Sequence, residues 1–268
     1  MSRIDAMPPV EVALLCPGRE IRAIMTQTTR HELAPQLISQ EFVTRFVALL
    51  ALAGVLVSFM LLLVAMSMYP DFSLVSHTLS RLGRQSLVLP PENYFGQPVF
   101  NAAYILGAST LVPMYMIFAR GSHVSGQKKA RNAFCCLIIA ASGLIGAGIL
   151  TDDDITFRYH LSQSGTFFVA AAFACIFFIW EWWGDGRGAR KWAVAYLVFL
   201  ASNVAMWIVA SSDIGESLGW NDGVPEFFSF VSFYVMNVAF VVAMLARGPA
   251  IPMSIVPRNR LDTIRKKK

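Results

Sequence analysis

Six stretches of this chain run without a charged residue for the length of a membrane crossing, and nothing else in it limits the fold so strongly. They lie between Arg45 and Asp71, Glu92 and Arg120, Arg131 and Asp152, Arg158 and Glu181, Lys191 and Asp213, and Glu226 and Arg247. A helix needs roughly 20 apolar residues to span a hydrocarbon core. Inside that core the backbone must satisfy its own hydrogen bonds, which a helix does within one segment. The expected fold is therefore all-α, a polytopic bundle of six transmembrane helices. Composition agrees, since 56% of the residues are hydrophobic and only 15% charged, well outside the range of a soluble domain.

Loop charge sets an expected orientation. The flank before the first span carries Arg30 and Arg45, the second loop Arg120, Lys128, Lys129 and Arg131, and the fourth Arg187, Arg190 and Lys191, while the chain ends in RNRLDTIRKKK. The first, third and fifth loops hold Asp71, Glu92, Asp152, Asp153, Asp154, Asp213, Glu216, Asp222 and Glu226 against Arg81, Arg84 and Arg158. Basic loops stay inside, so both termini are expected to be cytoplasmic, in a multi-pass protein of the plasma (cell inner) membrane. Trp180, Trp182, Trp183 and Trp192 mark one boundary and Tyr69, Tyr94, Tyr159 and Trp220 the other, as interfacial aromatics do. The excess of 22 Lys and Arg over 17 acids is explained by those loops. It comes with no basic and aromatic groove motif, so nucleic acid is not an expected partner.

Three regions follow: a cytoplasmic tail at 1–42, the six-helix domain at 43–246, and a basic cytoplasmic tail at 247–268. The first tail contains Pro8, Pro9, Pro17 and Pro35, and its apolar patch VALLC is too short for a signal-peptide core. Met25 opens MTQTTRHELAPQL and reads as a natural start; His31 there reads as solvated. Cys16, Cys135, Cys136 and Cys175 form no zinc or redox spacing. A bridge from Cys175 to the adjacent pair is geometrically conceivable, but membrane thiols mostly act as small packing residues. The run SGLIGAG at 142–148 supplies small residues for close helix approach.

The polar groups gather on the expected outer side. After the first span, YPDFSLVSHTLSRLG (69–83) has Asp71 or Ser73 to cap a helix, Arg81 near its end and Gly83 to stop it. A short interfacial helix is expected, with Ser73, Ser76, His77 and Ser80 on one face and Val75, Leu79 and Leu82 on the other. A hydrated polar face is the plain alternative. The third loop, TDDDITFRYHLSQSG, places Asp152, Asp153 and Asp154 at the end of the third span and His160 at the start of the fourth, with His160, Gln163 and Ser164 on one face. Asn101 enters the second span near the same boundary and must find partners in the bundle; Asn203 and Asn237 do so as helix glue. The fifth-loop acids Asp213, Glu216, Asp222 and Glu226 could hold a hard cation but lack the order of a calcium loop. His123 falls on the cytoplasmic side, apart from this group.

SLVSHTLSRLG after the first span, FN opening the second, and an acidic loop followed by YHLSQSGTFF resemble the six-helix bacterial and archaeal membrane family called domain of unknown function 998. More distantly they are similar to the membrane proteins that include the GPI-anchor lipid-remodelling factor. The resemblance covers about residues 43 to 246 and maps its pattern onto Ser76, Ser80, Leu82, Gly83, Asn101 and His160. His77 departs from it, where relatives carry a glutamine-like residue. The family's own description leaves its activity open.

The candidate catalytic residues are thus Ser76, Ser80, Asn101, Asp152 and His160, with cofactor and metal unknown. Their residue types suit acid–base work or a metal-activated water, which makes a lipid-modifying enzyme the first expectation. Hydroxyls, an amide and an imidazole can equally satisfy one another, so a non-catalytic lipid or ligand sensor, or a membrane scaffold, is the alternative. A transporter ranks third, because no span carries a mid-depth charge and Pro113 is a single kink candidate. Membrane lipids are the expected partners, with another membrane protein as the second choice.

Overall fold

The computed structural model describes residues 27–69, 72–75, 77–83, 96–150, 157–184, 187–220 and 223–247. The chain divides into two compact units, Met1–Phe42 and Val43–Lys268. In the first, the described backbone is helical from Gln27 onward. Residues 1–26 and the basic tail at 248–268 lie outside the described residues, as does Cys16.

The described elements run α1 (Gln27–Met68), a 3-10 turn (Leu79–Gly83), α2 (Gly96–Val124), α3 (Lys128–Ile149), α4 (Phe157–Trp182), α5 (Arg187–Ala210), the short α6 (Asp213–Ser217) and α7 (Gly223–Arg247). Six segments are long and apolar enough to cross a membrane: Phe42–Met68, Gly96–His123, Lys128–Ile149, Arg158–Trp182, Gly188–Ala210 and Gly223–Ala246. This is a multi-pass membrane protein. The spans match the charge-free intervals to within about a turn. Where they reach beyond an interval, as α3 does over Lys128, Lys129 and Arg131, long basic side chains at a helix end can extend to the interface. Pro113 sits inside α2, which continues on both sides of it.

Outward faces are apolar: Leu49, Leu56 and Met60 on α1, Val169, Phe173 and Ile176 on α4, and Val198, Val204 and Ile208 on α5 are all exposed. In water such surface would be costly; against acyl chains it is the natural boundary. Inside the bundle, close packing replaces the hydrophobic drive, because lipid tails are as apolar as the side chains. Gly143 and Gly146 give α3 its approach to α4. A Cβ on Gly143 would fall 2.8 Å from both the Gln163 carbonyl oxygen and the Phe167 nitrogen. Gly148 does the same against α2, 2.9 Å from Tyr104 Cβ. The small-residue run thus works as a packing surface on two sides.

Polar side chains stitch the helices where lipid offers no partner. Ser58 on α1 donates to the Ala103 carbonyl of α2 at 2.6 Å and shares a 2.9 Å hydrogen bond with the Tyr234 hydroxyl of α7. Tyr115 on α2 donates to Asn237 Oδ1 on α7. Asn203 on α5 donates to Ser232 Oγ on α7 at 3.2 Å. Each such bond contributes roughly 0.6–2 kcal/mol in a bilayer, and together they fix which helix lies beside α7. Cys135, Cys136 and Cys175 are free thiols.

Candidate functional site

One end of the bundle collects the C-terminal ends of α1, α3 and α5 with the N-terminal ends of α2, α4 and α7. The segment after α1 crosses this end. Its backbone first turns, with the His77 N–H donating to the Ser73 carbonyl at 2.8 Å, then tightens into the 3-10 turn at Leu79–Gly83. Leu79 and Leu82 are buried and anchor it, and Gly83 lets it settle on α2: a Cβ there would lie 2.9 Å from the Phe100 ring and 3.1 Å from Asn101 Oδ1. On the other side, a Cβ on Gly223 would strike the His77 carbonyl at 1.9 Å. The first residue of α7 therefore lies directly beneath this strap.

The short helix expected between Asp71 or Ser73 and Gly83 is present and ends at Gly83, but it starts later than expected and does not carry the expected face. Among the described residues of this segment, helix is confined to Leu79–Gly83, as a 3-10 turn. The physical reason is a tertiary competitor. The Leu79 N–H donates to Glu226 Oε2 at 2.9 Å, so a side chain of α7 takes the donor that an α-helix would have given to a carbonyl four residues back. His77 also leaves the expected face. Its Nδ1 accepts from the Ser73 N–H at 3.2 Å, and its ring packs on Phe72 and Tyr69 with centroids 5.8 and 5.7 Å away.

Ser80 turns toward α4. Its Oγ lies 2.9 Å from His160 Nε2 and donates to Glu226 Oε1 at 2.8 Å. His160, in the first turn of α4, is 4% exposed. Its Nδ1 faces two carbonyl oxygens at the end of α3, Leu150 at 2.7 Å and Ala147 at 3.2 Å. The last carbonyls of a helix lack intrahelical donors, and oxygens on both sides require that Nδ1 carry the hydrogen. The ring is thereby locked with Nε2 pointing at Ser80. Ser164, one turn further along α4, is 3.4 Å from the same nitrogen. Gln163, expected on this face, lies against α3 instead, where its Oε1 would sit 2.5 Å from a Cβ on Gly146.

With Nδ1 donating to the Leu150 carbonyl, Nε2 faces the Ser80 oxygen as an acceptor, while the Ser80 hydrogen is directed to Glu226 Oε1. Turned to Nε2, the same hydroxyl makes the serine–imidazole pairing that activates a nucleophile.

Of the residues singled out in the sequence, Ser80 and His160 are in direct contact. Asn101 stands beside Gly83, its Oδ1 buried without a hydrogen-bond partner. Ser76, Asp152, Asp153 and Asp154 lie outside the described residues. Among the described residues no three His, Cys, Asp or Glu side chains group as a metal site. His123 is at the opposite end, with its Nδ1 3.1 Å from Arg131 Nη1. The sequence marks Glu226 as a fifth-loop acid able to hold a cation, not as a partner of Ser80. It enters α7 in the first turn, after the buried Pro225, where the helix dipole favours a carboxylate. That placement is the only sequence signal that marked it.

The family described as protein of unknown function (DUF998) matches residues 52–243. The chain belongs to the DUF998 family. No curated protein and no solved structure matches it. The DUF998 match takes in Ser80, Asn101, His160 and Glu226 together, and the family's description assigns them no activity.

Proposed function

We propose that this DUF998 protein is a lipid-modifying enzyme whose reactive group is the Ser80 hydroxyl, with His160 as its proton acceptor. The observation that carries this reading is the 2.9 Å contact between Ser80 Oγ and a His160 Nε2 whose ring is fixed by the Leu150 carbonyl. In the proposed step Ser80 Oγ bonds to an acyl carbonyl carbon of the lipid while its proton passes to Nε2. The carbon–oxygen bond to the leaving alcohol then breaks, and that alcohol takes the proton from Nε2. Water, deprotonated by the same nitrogen, releases the acyl group and restores Ser80. Glu226, bonded to Ser80 and to the Leu79 N–H, positions the hydroxyl. We place the site at the outer leaflet of the plasma membrane, with both termini cytoplasmic, on the distribution of Lys and Arg among the loops.

A second reading is favoured by one observation: Glu226 satisfies two neighbouring donors of the strap at once, which is what a static clasp in a lipid sensor or scaffold needs. The two separate experimentally. Purified protein assayed on membrane lipids should lose turnover in Ser80→Ala and His160→Ala with its melting temperature nearly kept if it is an enzyme. Loss of thermal stability in the same variants, with no turnover in the parent, identifies the clasp.

A further inference from the structure

We infer that the groove between α4, α5 and α7 holds one acyl chain of a lipid from the leaflet on the His160 side, with its ester region at Ser229. The inference rests on the lipid-directed reading of the site above and names the part of the substrate that the groove receives. The groove has a volume of about 480 Å³, within the range of small-ligand sites, roughly 300–1,000 Å³. Its walls are apolar: Phe168 and Ala172 from α4, Leu200, Val204 and Trp207 from α5, and Phe233 from α7.

Its length selects the occupant. The lining runs from Phe199 on α5 to Ser211 just past its end, roughly 18 Å at 1.5 Å per residue. That is close to half of a hydrocarbon core about 30 Å thick. The lined stretch ends at the bundle end that carries His160, while α5 itself continues from Phe199 back to Arg187, roughly another 18 Å. A neighbouring transmembrane helix would need a seam along the whole span. A chain anchored in one leaflet needs only this half.

Polar contacts sit where an ester would. Ser229, in the second turn of α7, lines the groove, is 4% exposed, and its hydroxyl has no hydrogen-bond partner. A buried hydroxyl without a partner costs about 1–3 kcal/mol, and a carbonyl oxygen arriving with the lipid would relieve it. The groove also adjoins the candidate site. Phe167 and Phe168 wall both the groove and a small cavity of about 10 Å³ lined by Ser164 and Glu226, the two residues that flank His160 and Ser80.

The test uses the full chain in vesicles of phosphatidylethanolamine and phosphatidylglycerol, doped with a phospholipid carrying a mid-chain diazirine, with adducts mapped by mass spectrometry. The expected adducts concentrate on Phe168, Val204 and Trp207. Val204 is half-exposed, so Val204→Trp can fill the groove without disturbing the core. It is expected to lower those adducts by about tenfold while leaving labelling of Met60 on α1 unchanged. Equal adduct density on Leu56 and Met60 and in the groove overturns the inference, as does a Val204→Trp protein labelled like the parent, or cross-linking of the groove to another polypeptide instead of lipid. His160→Ala separates this from the catalytic reading: it should keep groove labelling while losing turnover. Kept labelling with unchanged turnover removes His160 as the proton acceptor and leaves the groove; turnover with no groove preference removes the groove and leaves the enzyme.

Discussion

The Ser80 hydroxyl donates to Glu226 Oε1 at 2.8 Å across 146 residues of sequence. The neighbouring oxygen of the same carboxylate takes the Leu79 N–H, so two consecutive residues of the strap hang on one side chain of α7. Glu226→Gln can keep the contacts among Leu79, Ser80 and His160 in neutral form. Its amide oxygen accepts from Leu79, its amide nitrogen donates to Ser80, and Ser80 donates to His160 Nε2. Glu226→Ala leaves the Leu79 N–H without its acceptor. We expect Glu226→Gln to melt within about 0.5 kcal/mol of the parent and Glu226→Ala to lose about 1–3 kcal/mol, read by thermal unfolding in detergent. Equal losses in both would show that the carboxylate's charge, not its geometry, holds the strap.

Turnover responds differently from stability if Ser80 is the nucleophile. His160→Ala is expected to lower the rate by about 10²–10⁴-fold, the range for removing a general base. Ser80→Ala should lower it at least as far, and the double variant little further, since the two act as one unit. Additive losses in single-turnover measurements would argue against a shared step.

The contact between α3 and α4 makes a sharper structural test. A Cβ on Gly143 meets backbone atoms of α4 at 2.8 Å, whereas one on Gly165 meets nothing within 4 Å. Gly143→Ala should therefore destabilise by about 1–3 kcal/mol through forced separation of the helices. Gly165→Ala should be neutral or gain up to about 1 kcal/mol from helix propensity. Melting curves of the two variants in one detergent decide it.

Orientation is open to reporter fusions. A reporter after Lys129 or at Lys268 is expected to behave as cytoplasmic, and one after Glu92 or Asp222 as external, because Lys and Arg favour the same side at each loop. A Lys268 fusion that reports from outside reverses the assignment and moves the Ser80 and His160 end to the inner leaflet.

The spans were legible because each is an uninterrupted apolar run, a signal that needs no partner to be read. Gly143 and Gly146 were legible for a related reason, since small residues in an apolar run have few uses besides close approach. The strap was read less well. Its hydroxyl spacing suggested an α-helix, but Glu226 captures the Leu79 N–H and the segment tightens into a 3-10 turn, so His77 packs on Phe72 rather than beside Ser80. Glu226 itself was hidden. An acid at the start of a helix is ordinary, and nothing within a few residues of it points to position 80. Asn101 was expected among the polar groups and lies beside Gly83 with its oxygen buried, a placement for which polarity alone gives no cue.

A strap held from α4 and α7 also sets an order of events in biogenesis. At translation rates of roughly 5–20 residues per second, Glu226 leaves the ribosome about 7–30 s after Ser80, the two being 146 residues apart. Through that interval the first spans can enter the bilayer, but the hydroxyl, the Leu79 N–H and the imidazole must borrow water or the insertion machinery as partners. Completion of the last helix is what closes the end of the bundle, so chains stalled or cleaved before α7 should carry an open strap that quality-control proteases can recognise.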